Sequence, residues 1–212
     1  MHSIAPDDLP ARDAYRLMLS AIIPRPIAWV STVGPDGTPN LAPFSFFTGV
    51  AGNPPVVLIS VSAKSARFGG GIKDTLRNAQ TTGEFVVNLV DEAHAEAMNQ
   101  TAGEWPYGVS EFDLAGLEAM PSVEVAPPRV ASAPVALECK VHQIIPVDGT
   151  TNTLLLGRVV RYHVRANLLR ENGLIDAMQA RPLARLGGSE YATLGGVFAL
   201  ERPQVKRDEA AK

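Results

Sequence analysis

The period of apolar and polar positions changes repeatedly along this chain, and each change marks an element. Tyr15, Met18, Leu19 and Ile22 recur at helical spacing and the run stops at Pro24, which predicts a short helix over Ala11–Ile23. β-rich runs then take over. Ile27–Val33 reads as a strand, Gly34-Pro35-Asp36-Gly37 supplies turn residues that tolerate positive φ, and Thr38–Phe46 reads as the returning strand of a hairpin. Val56–Val61 is a nearly continuous apolar run preceded by two prolines, the pattern of a strand covered on both faces. Thr75–Thr82 predicts a helix ended by Gly83, Phe85–Val90 a further strand, and Asp91 an N-cap for a helix over Glu92–Gln100. Val135–Val147 and Asn152–Val164 are long β-rich runs joined by Asp148-Gly149-Thr150-Thr151, a second hairpin signal. Gly173–Ala180 predicts a helix, Gly195–Leu200 a last strand and Glu201–Lys212 a polar tail. Together these elements make a mainly β chain with short helices, its strands closing into an antiparallel barrel of about six.

Two segments depart from the pattern. Pro43 interrupts the second strand and is followed by Phe44, Ser45, Phe46 and Phe47. A proline removes a ladder hydrogen bond and belongs at an edge, a bulge or a strand end, so something other than a neighbouring strand faces this backbone. Gly103–Arg129 has no period, is rich in Pro, Gly and Glu, and carries Trp105, Tyr107 and Phe112; it reads as an excursion from one domain spanning 1–212, not as a second domain.

Composition narrows the class. An apolar fraction of 46% with 19% charged residues is that of a folded chain. A formal net charge of -3, with nineteen basic residues dispersed along the sequence, provides no basic stripe for a phosphate backbone, so nucleic acid is not an expected partner. The single cysteine, Cys139, excludes an internal disulfide and a Cys-rich metal site. No apolar run approaches the roughly 18 residues of a membrane span, and the N-terminus lacks the basic start and apolar run of a signal peptide, which together imply a cytoplasmic protein.

Candidate chemistry concentrates between residues 32 and 75. Lys73-Asp74-Thr75 opens a predicted helix, where unpaired amide hydrogens and a partial positive charge favour a phosphate; Asp74 would then cap the helix or brace Lys73. The other reading is a surface helix with a plain Asp74 cap and a solvated Lys73. Ser60, Ser62, Ser65 and Arg67 lie just upstream and form either the rest of a phosphate cradle or a polar surface turn. Gly69-Gly70-Gly71 fits neither a dinucleotide fingerprint nor a P-loop. His94-Ala95-Glu96 lacks the cysteines of a zinc deaminase and reads as helix surface, His142 and His163 as satisfied or exposed, and no hydrolase motif occurs. No metal is expected.

Read in order, Pro24-Arg25-Pro26, Val30-Ser31-Thr32, Asn40-Leu41-Ala42-Pro43-Phe44-Ser45-Phe46-Phe47, Pro54–Val61, Lys73–Asn78, Gly83–Leu89, Pro127–Val130, Ala136–Cys139 and Leu183–Gly188 with Tyr191-Ala192 resemble the flavin reductase-like, FMN-binding split-barrel family over roughly residues 15 to 200. The resemblance implies non-covalent FMN, NAD(P)H as co-substrate, and a homodimer. It places FMN phosphate at Lys73 and Thr75, with Ser60, Ser62, Ser65 and Arg67 completing the cradle. The flavin ring would lie against Pro43, Phe44, Ser45, Phe46 and Phe47, although at least one of Phe44 and Phe46 is expected in the core. Thr32 and Asn40 either reach the flavin or support the hairpin. Arg185 and Tyr191 would shape the nicotinamide or substrate side, unless Arg185 makes an ordinary salt bridge. Gly103–Arg129 would contribute to the dimer interface or to a lid.

Overall fold

The computed structural model describes residues 1–204, so the predicted polar tail lies outside the described residues from position 205 on. Seven strands form one antiparallel sheet: β1 (Ala28–Val33), β2 (Pro39–Phe44), β3 (Phe47–Gly52), β4 (Pro55–Ser62), β5 (Glu84–Leu89), β6 (Val135–Pro146) and β7 (Asn152–Val164). Their order is β2-β1-β5-β6-β7-β4-β3. The two edge strands, β2 and β3, are consecutive in the chain and linked only by Ser45 and Phe46. Three peptide links from Phe44 to Phe47 reach at most about 11 Å, so the far edges of the sheet must come round to meet. The result is a barrel left unladdered at one seam. Pro43 sits on that edge strand, opposite Trp29 on one side and no strand on the other.

Inside the barrel lie Ala28, Val30, Phe44, Val57, Ile59, Val61, Phe85, Val87, Cys139, Leu155 and Val159. Phe85 fits only because position 157 is glycine: a Cβ there would meet the Phe85 ring at 2.1 Å. The helices are α1 (Ala11–Ala21), α2 (Asp74–Thr82), α3 (Ala95–Gln100), α4 (Glu111–Leu114) and α5 (Ala177–Ala180). α2 adds Leu76 and Ala79 to the barrel core and is stopped by Gly83 in the left-handed region at φ 73°. α3 and α4 bring Met98 and Phe112 to the outer face of β1 and β2, against Trp29 and Leu41. Asp91 caps the turn into α3 as expected, accepting from the His94 amide.

Several expectations are corrected. The sequence pattern does not mark β3, because Phe47-Thr-Gly-Val-Ala-Gly52 carries two glycines and little β-branching; pairing with β4 overrides that weak preference. β4 is covered on its inner face by the barrel, while Leu58 and Ser60 on the other face are only half-buried. The predicted helix over Gly173–Ala180 shrinks to α5, and Gly195–Leu200 forms no strand, being exposed throughout with no pairing partner. In the aperiodic excursion Trp105 and Tyr107 are exposed, but Phe112 is buried in the outer core.

Candidate functional site

The seam of the barrel opens into a cleft of about 380 Å³. It is lined by Pro43, Phe44, Ser45 and Phe46, by Ser60 and Ser62 of the adjoining strand β4, by Lys73 and Asn152, and by Tyr15 of α1. Next to it a recess of about 220 Å³ runs from Pro43, Phe44 and Ser45 to Met98, Asn99, Arg185 and Tyr191. A smaller one of about 40 Å³ lies behind Pro43, among Asn40, Lys64, Lys73, Asp74, Thr75, Trp105 and Glu111. Pro43 lines all three, so they adjoin one another around this residue and are together called the groove.

Lys73 occupies the N-cap position of α2 and makes no capping hydrogen bond, which leaves the first-turn amides without a side-chain acceptor. Its ammonium lies 5.7 Å from the centre of the Phe44 ring, so a cation stands at the junction of phenylalanine wall and helix terminus. Asp74 does not cap the helix and does not brace Lys73: its carboxylate accepts two hydrogen bonds from Lys64, at 2.9 and 3.0 Å. Three successive positive-φ glycines, Gly69, Gly70 and Gly71, bring the chain back from Lys64 to α2, a path other residues would take only under strain.

Behind Lys73 runs a buried polar network. Asn40 accepts hydrogen bonds from the hydroxyls of Thr32 and Thr75, at 3.2 and 3.1 Å, and donates to both oxygens of Glu111, at 2.9 and 2.8 Å. Asn78 donates to Thr32, and the Leu41 amide to Glu111. The Thr75 hydroxyl hydrogen, assigned from the sequence to a phosphate, is thus directed to Asn40, and Thr32 is fully buried. Both residues fasten α2 to the β1–β2 hairpin. Burial raises the Glu111 carboxyl above the usual carboxylate range, hydrogen bonds from Leu41 and Asn40 oppose the rise, and the nearby Asp74 charge adds to it.

Residues 19–184 match the family model described as flavin reductase like domain. The chain belongs to the flavin reductase-like family. It is similar to the crystal structure of nitrilotriacetate monooxygenase component B from Bacillus cereus, at 43% identity and TM-score 0.88, covering 94% of this chain and 98% of that one. The 2-nitrobenzoate 2-nitroreductase of Pseudomonas fluorescens superposes with TM-score 0.84 at 31% identity, over 95% and 96% of the two chains. Flavoredoxin of Desulfovibrio vulgaris shares the fold, with TM-score 0.72 at 24% identity over 90% and 94%.

In this flavin reductase-like chain the groove gathers Pro43, Phe44, Ser45, Phe46, Ser60, Ser62 and Lys73 in one cleft and Arg185 with Tyr191 in the adjoining recess. Ser60 also accepts a hydrogen bond from Asn152 at 2.9 Å. Phe44 belongs to the barrel core, as expected of one phenylalanine, and Phe47 packs against that core. Ser65 caps the short turn over Ala66–Phe68 while its amide donates to Glu104; neither it nor the exposed Arg67 lines these walls. Arg185 stacks over the Tyr191 ring at 4.4 Å and forms no salt bridge among the described residues. Tyr15, Lys64, Glu111 and Asn152 were not singled out from the sequence; only Lys64 carried a local signal, a lysine nine residues before the Lys73 motif.

His94 is not helix surface. Its ring lies between Asp91, 2.5 Å from Nδ1, and Ser132, 2.7 Å from Nε2, in a triad-like line. The neighbouring amides of Ala131 and Ala133 donate to Glu118 and Val130, so they offer no oxyanion hole, and none of the three recesses reaches Ser132. The line reads as a tether between α3 and the turn before β6. His163 is satisfied by Glu138, and His142 is exposed.

Proposed function

We propose that this protein binds FMN non-covalently along the seam of the barrel and works as an NAD(P)H-dependent flavin reductase. The observation that carries the reading is one groove in which an uncapped helix N-terminus with Lys73 meets a flat wall of Pro43–Phe46. Lys73 and the first-turn amides of α2 suit a dianionic phosphate. The backbone around Ser45 and the side chain of Phe46 suit a planar heteroaromatic ring, with the Ser60 and Ser62 hydroxyls lining the same cleft. Thr32, Asn40 and Thr75 hold the hairpin and helix in register, while Ser65 and Arg67 belong to the loop leading into α2. When bound, FMN supplies two-electron chemistry, accepting a hydride from a nicotinamide. The chain's own task is to grip the phosphate, orient the ring and leave one face open to the Arg185–Tyr191 recess.

A second copy is the proposed partner. α1 buries none of its residues although Tyr15, Met18 and the C-cap residue Ile22 are exposed at helical spacing, and Tyr15 lines the cleft, so a partner lying on α1 would also wall the groove. A monomer mass by light scattering would refute this. The relative named as one component of a monooxygenase favours electrons leaving for a second protein. The flavoredoxin fold favours a second reading, a flavin-carrying electron-transfer protein that barely uses NAD(P)H. Anaerobic bleaching of the flavin band by NADH or NADPH supports the reductase, and reduction only by dithionite or a protein donor supports the carrier.

The test of the groove is the ratio of FMN to riboflavin affinity, which isolates the phosphate. Lys73→Ala should lower that ratio by about tenfold or more, the worth of a charge-assisted hydrogen bond. An unchanged ratio, or no flavin binding at all by the native protein, refutes the assignment.

A further inference from the structure

We propose that the recess beside Ser45 is an anion-reading subsite for the second substrate, with Arg185 its specificity-determining cation: it takes a planar ring whose anionic group is a carboxylate on the ring or a phosphate on an attached sugar. The inference rests on the flavin reading for what lies across Ser45, and on the following geometry for itself.

The two-residue strands Arg25–Pro26 and Ala184–Arg185 pair so that Arg25 stands directly opposite Arg185. Like charges facing each other across a ladder repel. Among the described residues neither has an acidic partner. The two arginines are not equivalent. Arg25 is buried and donates to the carbonyls of Leu19, Ile22 and Leu186, so it braces α1 and the Gly187–Gly188 loop. Burial and the facing Arg185 pull its guanidinium below the ordinary value.

Arg185 is half-buried, with its guanidinium over Tyr191 and one bond to the Gly188 carbonyl, which leaves most of its five donors unengaged at the recess wall. Tyr191 is held in turn by its hydroxyl bond to Asn99. The remaining walls include Ile27, Phe44 and Met98. A volume of about 220 Å³ exceeds the roughly 150 Å³ known to admit benzene, so a substituted ring fits. Largely apolar walls for a flat ring, with the free donors of Arg185 on one side and no acidic side chain among the lining residues, select an anionic ring over its neutral counterpart.

Titration calorimetry at low ionic strength, on the purified protein with and without FMN, separates the possibilities. Benzoate and benzamide probe a ring carboxylate; nicotinamide mononucleotide and nicotinamide riboside probe a phosphate. At least one anion should bind about tenfold tighter than its neutral counterpart, and the ratio should collapse toward one in Arg185→Gln. Arg185→Lys, which keeps the charge without the planar fork, should give an intermediate ratio. Whichever pair shows the effect identifies the source of the anion. Equal binding within both pairs, or a preference that survives Arg185→Gln, overturns the proposal even if FMN binds. If FMN fails to bind while the Arg185-dependent ratio persists, the flavin reading falls and the anion subsite stands.

Discussion

Asp74→Asn should weaken the fold and tighten FMN binding at the same time. The Asp74 carboxylate holds Lys64 through two hydrogen bonds of 2.9 and 3.0 Å, with the two side chains only 13% and 17% exposed. Breaking a fully buried pair costs about 3–5 kcal/mol; partial exposure and the amide oxygen retained by Asn bring this to roughly 1–3 kcal/mol. Loss of a negative charge from the first turn of α2 adds about 0.3–1 kcal/mol. Binding moves the other way. Asp74 adjoins Lys73 and lines the groove, so its charge opposes a phosphate there. Two unit charges at 4 Å interact by about 1 kcal/mol in water and about 4 kcal/mol near a protein surface, so removing the repulsion in this open groove is worth about 1 kcal/mol, or fivefold in affinity. Urea unfolding measures the first effect, and flavin fluorescence titration with FMN and riboflavin in parallel measures the second. The FMN gain should shrink in high salt and be absent for riboflavin. If Asp74→Asn binds FMN no more tightly than the native protein, the phosphate does not sit at α2; if its urea midpoint is unchanged, the Lys64 pair is not structural.

Three further outcomes are expected. Gly157→Ala should lose about 1–3 kcal/mol, because its Cβ would displace the Phe85 ring at the centre of the barrel; a melting temperature equal to that of the native protein would contradict this. Burial raises the Glu138 pKa, but hydrogen bonds from the Val123 and Glu124 amides and from His163 outweigh it and hold the carboxyl below its ordinary range. Its stabilisation is therefore complete above the unfolded value of about 4.3 and lost as pH falls through the lower folded value, so a gap of about 1.5–3 kcal/mol between native protein and Glu138→Gln should close in acid when urea midpoints are followed against pH. Burial also pushes the Cys139 thiol well up, and it should react with a thiol reagent only after unfolding; prompt labelling of the folded protein would place it elsewhere.

Much of the fold could be read locally because its signals are local. The long runs of β6 and β7, the Gly83 stop of α2 and the Asp91 cap each depend on residues within a few positions of one another. β3 could not be read this way, since its glycine-rich sequence becomes a strand only by pairing Phe47 with Ile59 and Thr48 with Leu58. The candidate site divides along the same line. Lys73 at a helix start and Ser45 after a misplaced proline were visible, whereas Asn40 reaches Glu111 across 71 positions and Thr75 reaches Asn40 across 35. Glu111 lies in the aperiodic excursion, where a buried acid has the same appearance in sequence as a solvated one.

The position of the groove follows from chain order. With β2 and β3 at opposite ends of the sheet and only Ser45 and Phe46 between them, closure leaves a seam whose backbone groups cannot all join a ladder. One is taken by the Ser60 amide, which donates to the Phe46 carbonyl at 2.9 Å; Pro43 has no amide hydrogen to offer. The remaining polar backbone must face water or a ligand. Leu76 and Ala79 seat α2 in the barrel core, and Thr75 pins its first turn to Asn40 of β2, so the uncapped N-terminus bearing Lys73 is brought to the same seam. The Pro43–Phe46 segment and the uncapped terminus thus meet because one closure defect and one helix anchor share a strand. That is why Asn40→Ala, which removes the acceptor of the Thr75 hydroxyl, should loosen Lys73 before it disturbs Ser45: FMN affinity should fall while riboflavin affinity holds, and an equal loss for both would refute the anchoring role.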